Sequence, residues 1–237
     1  MFLPWHDPTM ILLIPAIVFT LYAQSKVNRA YNAFSKVQNR RNMTGAQAAR
    51  RILDANGLQN VGMEMTQGKL SDHYDPRDRI MRLSPEVYNG TTVAAVSIAA
   101  HESGHAIQHG ERYAFLMVRN AVAPVVNVVS TLSWPLLIIG IIISTSGQFA
   151  SRDTGLLIFD LGIIFFFAVV AFHLITLPVE FNASRRAIAQ LQTTGIVGND
   201  EIAGAKKVLS AAAMTYVAAL ATAILNLIRI LLIRGRE

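Results

Sequence analysis

The chain has 237 residues, of which 52 % are apolar and 15 % charged, with a formal net charge of +6 and a mean hydropathy of +0.38. That balance excludes an ordinary soluble domain and predicts a membrane protein. It contains no cysteine, which excludes disulfides and thiolate metal sites, so any metal must rest on His, Asp or Glu. The basic residues lie beside apolar runs, which fits a lipid surface and argues against nucleic acid as partner.

Four stretches read as membrane spans, at about residues 9–22, 121–146, 155–177 and 211–233. The first is short and holds Pro15, a residue that neighbouring helices can accommodate. A signal peptide fits it less well, since no Lys or Arg precedes the apolar run and no small-x-small site follows. The other three exceed the roughly 20 residues needed to cross about 30 Å of hydrocarbon. Thirteen Lys and Arg lie between the first and second spans and four between the third and fourth. The positive-inside rule therefore places residues 24–120 and 178–210 in the cytoplasm, although Arg229, Arg234 and Arg236 then fall on the outer side. The expected fold is mainly α, a polytopic helical membrane protein of about four spans. A cytoplasmic α+β portion completes one membrane-embedded domain over residues 1–237, with a bacterial cytoplasmic membrane as the expected location.

Within the first cytoplasmic segment, Lys26 to Arg41 reads as a polar helix leaving the membrane. Thr44 and Gln47 form a capping box for a helix over 46–56 that Gly57 ends. Strands are expected over 61–65, 69–74 and 79–84, with Asp75-Pro76-Arg77-Asp78 as a turn between the last two. Pro85 opens a short helix. An exposed edge strand can bind an extended peptide by main-chain hydrogen bonds, and Ile80 to Leu83 is the expected edge.

The chemistry centres on Ala99 to His109, which contains His101-Glu102-Ser103-Gly104-His105. On a helix, residues four apart share a face and lie about 6 Å apart along the axis, so His101 and His105 can hold one Zn²⁺. Glu102, about 100° round the helix, stands beside the metal as general base for the hydrolytic water. Gly104 is expected to leave room there. The alternative is two polar residues on an ordinary amphipathic helix.

A catalytic zinc takes three protein ligands. His109 lies about 12 Å along the axis from His101, too far to share the ion, and is expected to cap the helix end or face solvent. The metzincin spacing is not met. Glu180 is the better third ligand, expected to open an amphipathic helix after Pro178, with two spans returning it to the face of His101. Its alternative is a carboxylate favouring a helix N-terminus.

These residues support a family resemblance. Leu70 to Pro76, Leu83 to Tyr88, Ala99 to Gln108 and Leu177 to Phe181 resemble the YugP-like membrane zinc metallopeptidases. More distantly the chain looks like HtpX-type and CAAX prenyl proteases, in which His-Glu-x-x-His and a later Glu form the zinc site. Those relatives carry Asp four residues after that Glu, where this chain has Ser184; Asn182 or Ser184 could orient an imidazole instead. The resemblance implies a zinc-dependent endopeptidase acting on peptides or membrane proteins, with membrane protein partners left open. His73, Tyr74 and Arg185 are candidates to contact substrate or stabilise the oxyanion. For His73 and Tyr74 the alternative is a hairpin held by Asp72 and Asp75. His173, near the cytoplasmic end of the third span, reads as a functional hint or a histidine bonded between helices. Two other functions compete with hydrolysis at the membrane face. One is an intramembrane-cleaving protease, for which Asp160 could pose as a ligand; the other is a zinc-stabilised scaffold or adaptor without turnover.

Overall fold

Four helices carry most of the apolar sequence. In the computed structural model, which describes residues 8–68, 70–146 and 151–236, these are α1 (Leu13–Phe34), α5 (Ala114–Ser146), α6 (Arg152–Thr193) and α7 (Ile202–Arg234). A short 3-10 turn, Pro8–Leu12, leads into α1. All four are long and apolar enough to cross a membrane. Three short helices, α2 (Gly45–Ala55), α3 (Pro85–Tyr88) and α4 (Val93–Gly110), and three strands, β1 (Gly62–Met65), β2 (His73–Asp75) and β3 (Ile80–Leu83), complete the described elements.

The chain forms two compact units. One comprises Met1–Leu21, Val118–Thr176 and Tyr216–Glu237; the other comprises Tyr22–Met117 and Leu177–Thr215. The first unit exposes large apolar side chains such as Val125, Leu157, Ile164 and Phe167, as expected of a surface solvated by lipid tails. Its helices approach through small residues, because in lipid the helix–helix attraction comes from close backbone packing. A Cβ on Gly140 would lie 2.5 Å from the Phe159 nitrogen, and one on Gly162 would lie 2.8 Å from Leu137 Cγ. Arg234 donates to both carboxylate oxygens of Asp160, at 2.6 and 3.0 Å. Asp160 is thus one half of an ion pair.

The second unit is built on two apolar clusters. Ile52, Val96, Leu191, Ile196 and Leu209 form part of one; Leu53, Met81, Leu83, Val87 and Ala106 form part of the other. Helix α2 begins with the capping box read from sequence: Thr44 Oγ1 accepts from the Gln47 nitrogen, and Gln47 Oε1 accepts from the Thr44 nitrogen. It is followed by Gly57 at φ +72°, a left-handed conformation that glycine adopts without Cβ strain.

The sheet order is β1-β3-β2, with β1 parallel and β2 antiparallel to β3. Ile80 to Leu83 is therefore the central strand rather than the edge. The reason lies in its burial: Met81 and Leu83 are fully enclosed, whereas β1 and β2 carry no fully buried residue. A strand gripped on both sides fills the core, and the free backbone edges belong to β1 and β2. Strand β2 is also shorter than the sequence suggests, and Lys69 lies outside the described residues.

Helix α6 continues through Pro178 instead of breaking there and restarting at Glu180. A proline removes one donor from the helical ladder, but a kinked helix survives where surrounding packing holds it. Val179, Ala183, Ala187 and Leu191 are all fully buried at helical spacing, and that stripe holds the segment after the proline in helical form. Helix α1 likewise runs on to Phe34, after which the chain turns before Arg41.

Candidate metal centre

Helix α4 sets the first half of the site. Thr92 caps its start by accepting from the Ala95 nitrogen at 3.2 Å. Val93 to Ala100 are small or apolar residues, nearly all buried. Ser97 and Ser103 return their hydroxyls to the carbonyls of Val93 and Ala99, so neither leaves a polar group unpaired in the core. His101 and His105 emerge one turn apart with ring centroids 4.8 Å apart and planes at 84°.

The second half comes from α6. Glu180 is 3 % exposed, and its Oε2 lies 3.2 Å from His101 Nε2 and 3.5 Å from His105 Nε2. The three ligand atoms all lie within 4.8 Å of one another. Gly104 makes this approach feasible: a Cβ there would sit 2.6 Å from the Ala183 carbonyl oxygen. Its role is thus to let α4 and α6 touch, rather than to leave space beside an ion.

The hydrogen bonds behind the rings decide which nitrogens face inward. Gln108, fully buried, donates from Nε2 to the Val179 carbonyl at 2.8 Å and to Asn182 Oδ1 at 2.9 Å. A carbonyl can only accept, so Gln108 Oε1 is the atom 3.0 Å from His105 Nδ1, and that ring nitrogen carries the proton. Asn182 Oδ1 is fixed in turn by Arg186 Nε at 2.7 Å. Ser184 Oγ lies 3.2 Å from His101 Nδ1, placing Ser184 behind one imidazole and Asn182, through Gln108, behind the other. Sequence reading missed Gln108. A glutamine three residues after a histidine on one helix is the available signal, but a polar helical side chain more commonly faces water.

These residues fit a zinc ion. With its Nδ1 committed to Gln108, His105 turns Nε2 toward the same buried carboxylate that His101 Nε2 faces, an arrangement that a shared cation can hold. Zinc bonds of about 2.0–2.1 Å in tetrahedral geometry put neighbouring ligand atoms about 3.3 Å apart, close to the 3.2 and 3.5 Å found. Two imidazoles and one carboxylate are also a catalytic zinc set, which leaves a coordination position for water.

Glu102 is 8 % exposed. Burial pushes its carboxyl up from 4.5 to about 7; the nearby carboxylates of Glu180 and Asp72 add to this, while His101 and His73 oppose it. His73 therefore lies within electrostatic reach of Glu102, with its Nδ1 2.8 Å from the Ser71 carbonyl. Tyr74 is turned elsewhere, its hydroxyl 2.9 Å from His109 Nδ1. Arg185 is exposed, and its side chain makes no hydrogen bond or ion pair among the described residues. The hairpin does use its acids: Asp75 Oδ1 accepts from the Arg77 nitrogen at 2.9 Å. Asp72 accepts from the Ser84 nitrogen at 2.7 Å and from its hydroxyl at 3.0 Å.

A mainly helical chain with four apolar helices long enough to span a bilayer, carrying a His-Glu-x-x-His helix opposed by a buried glutamate, is of the membrane zinc metallopeptidase class. Comparison with known proteins names the family. A family model described as "Putative neutral zinc metallopeptidase" matches residues 9–235, and the chain belongs to that family. It is 46 % identical over 228 residues to a protein of Bacillus subtilis (strain 168) named "Putative membrane protease YugP", covering 95 % of this chain and 97 % of that one. No solved structure matches the chain.

Proposed function

We propose that the protein is a membrane-bound zinc endopeptidase that hydrolyses peptide bonds at the cytoplasmic face of a bacterial membrane. The observation that carries this is the convergence of His101 Nε2, His105 Nε2 and Glu180 Oε2 with a buried glutamate next to the first histidine. His101, His105 and Glu180 would hold the zinc. When bound, zinc supplies a Lewis acid that polarises the scissile carbonyl and makes water a competent nucleophile near neutral pH.

The chain's own groups do the rest. Gln108 and Ser184 hold the two imidazoles with their outer nitrogens engaged, so the inner nitrogens stay available. Glu102 takes the proton from the attacking water and delivers it to the departing amine as the C–N bond breaks, so one carboxylate serves as base and then as acid. Of the three residues offered as oxyanion contacts, His73 has the best support, because it lies within electrostatic reach of Glu102, whereas the Tyr74 hydroxyl is engaged with His109. Strand β2 is the edge offered to an extended substrate, since it packs against α4 and has its far side unpaired in the sheet.

The cytoplasmic placement rests on the distribution of Lys and Arg. The tail arginines weigh against it, but they are three against the seventeen Lys and Arg of residues 24–120 and 178–210.

The test is Glu102→Gln in the full-length protein in detergent, with an unfolded protein such as casein as substrate. Zinc content should stay at the wild-type level, while cleavage falls at least about a hundredfold. Undiminished cleavage would exclude hydrolysis through Glu102.

A further inference from the structure

We propose that a cavity at the end of α4 is a specificity subsite for a carboxylate of the substrate, about three residues from the bond that is cut. The proposal rests on the peptidase reading above and adds a substrate class to it. The cavity holds about 450 Å³ and is walled by Tyr74, Arg79, His109 and Arg112, with Leu58 and Met117 among its apolar lining. No Asp or Glu lines it. Neither the Arg79 nor the Arg112 side chain makes a hydrogen bond or ion pair among the described residues, so two arginines line one opening with no anion assigned to them.

The backbone at both arginines points the same way. Arg112 sits just beyond α4, where its nitrogen bonds to the His109 carbonyl and that of Tyr113 to the Gln108 carbonyl. That is a Schellman end, whose left-handed position usually goes to glycine; here Arg112 occupies it at φ +54°. Arg79 closes the β2–β3 turn at φ +55°, another position that glycine or asparagine fills with less strain. At two separate turns the chain holds an arginine where glycine would be easier, and both residues line the same cavity. A structural explanation would need the guanidinium groups to bond the fold, and among the described residues they do not.

Placement ties the cavity to the reaction. Glu102, Ala106 and His109 fall on one stripe of α4, at i, i+4 and i+7, so the cavity continues the face that carries the proposed base. Seven residues of helix cover about 10.5 Å, and an extended peptide covers that in about three residues. Tyr74, in the edge strand β2, forms another wall. A peptide lying along that edge would deliver a side chain, or its own C-terminal carboxylate, to the arginines. Guanidinium groups bind carboxylates through paired, charge-assisted hydrogen bonds.

The experiment uses the zinc-loaded full chain in detergent and alanine-rich decapeptides in which Glu or Gln is scanned through each position, with free or amidated C-termini. Wild type should favour Glu over Gln by about tenfold in kcat/KM at one position, about three residues from the cut. In the Arg79→Gly/Arg112→Gly protein the ratio should fall below about twofold, with a melting temperature equal to or above that of wild type. Arg79→Lys/Arg112→Lys should restore part of the preference. Should the glycine pair fail to fold, Arg79→Gln and Arg112→Gln singly read the same ratio. A preference that follows the free C-terminus identifies the terminal carboxylate as the ligand, and one that follows Glu identifies the side chain. No preference in wild type, or an undiminished one in the variants, overturns the proposal. Binding of the same peptides, labelled, to the Glu102→Gln protein separates the two readings. Preferential binding of the acidic peptide without any cleavage by wild type would count against hydrolysis alone; cleavage without charge preference would count against the subsite alone.

Discussion

Gln108 and His105 stand one turn apart on α4, and the 3.0 Å contact between Gln108 Oε1 and His105 Nδ1 sets the protonation of that ring. The orientation of the amide cannot reverse, because its nitrogen is committed to the Val179 carbonyl and to Asn182 Oδ1, and the latter is held by Arg186. The whole relay is fixed by groups at its ends that can only donate or only accept.

Replacing Gln108 with leucine keeps much of the volume and removes this relay. Zinc affinity, measured by competition with a chromophoric chelator, should fall about 10- to 100-fold, the usual cost of losing a partner behind a metal-bound histidine. Asn182 also loses a buried donor, so the metal-free protein should lose about 1–3 kcal/mol of stability. Unchanged zinc affinity in Gln108→Leu would show that the tautomer of His105 does not depend on this amide.

The raised carboxyl of Glu102 has a second measurable consequence. In the metal-free protein its folded value is about 7 against 4.5 for the free group, so the native state binds the proton more tightly than the unfolded chain. The associated stability is fully present below pH 4.5 and is lost as the pH rises through 7. Two and a half units correspond to about 3 kcal/mol. Glu102→Gln never ionises, so its metal-free form should become progressively more stable relative to wild type between pH 5 and pH 8. Thermal unfolding in a chelating buffer, scanned over that range, reads the difference directly. Parallel curves would mean that Glu102 is solvated well enough to ionise without cost.

Local rules carried much of the sequence reading, and pairing choices defeated the rest. The spacing of His101 and His105 follows from helical geometry, and the capping box at Thr44 is a contact within one turn; both are visible in a few consecutive residues. Glu180 could be brought to the histidines only by counting helices across the bilayer, a topological argument that needs no coordinates. The centre of the sheet was not legible, because alternation in Ile80 to Leu83 shows which face is buried but not whether neighbours flank one edge or two. Gly104 was misread for a related reason: its constraint is the Ala183 backbone, 79 positions away in sequence, and nothing near Gly104 encodes it. Pro178 reads locally as a helix boundary, yet the buried stripe from Val179 to Leu191 overrides it.

The side of the membrane that carries the site can be tested cleanly because the chain has no cysteine. Gln67 is exposed between β1 and β2, and Arg152 is exposed at the start of α6, so a single cysteine at either place should react with a maleimide. Thirteen Lys and Arg lie between the first and second spans and only Arg152 between the second and third, an asymmetry that the positive-inside rule converts into orientation. In intact cells, a membrane-impermeant maleimide should therefore label Arg152→Cys and spare Gln67→Cys, while both label after lysis. Labelling of Gln67→Cys in intact cells would put the two histidines on the outer side. The substrates would then have to be exported or surface-exposed polypeptides rather than cytoplasmic ones.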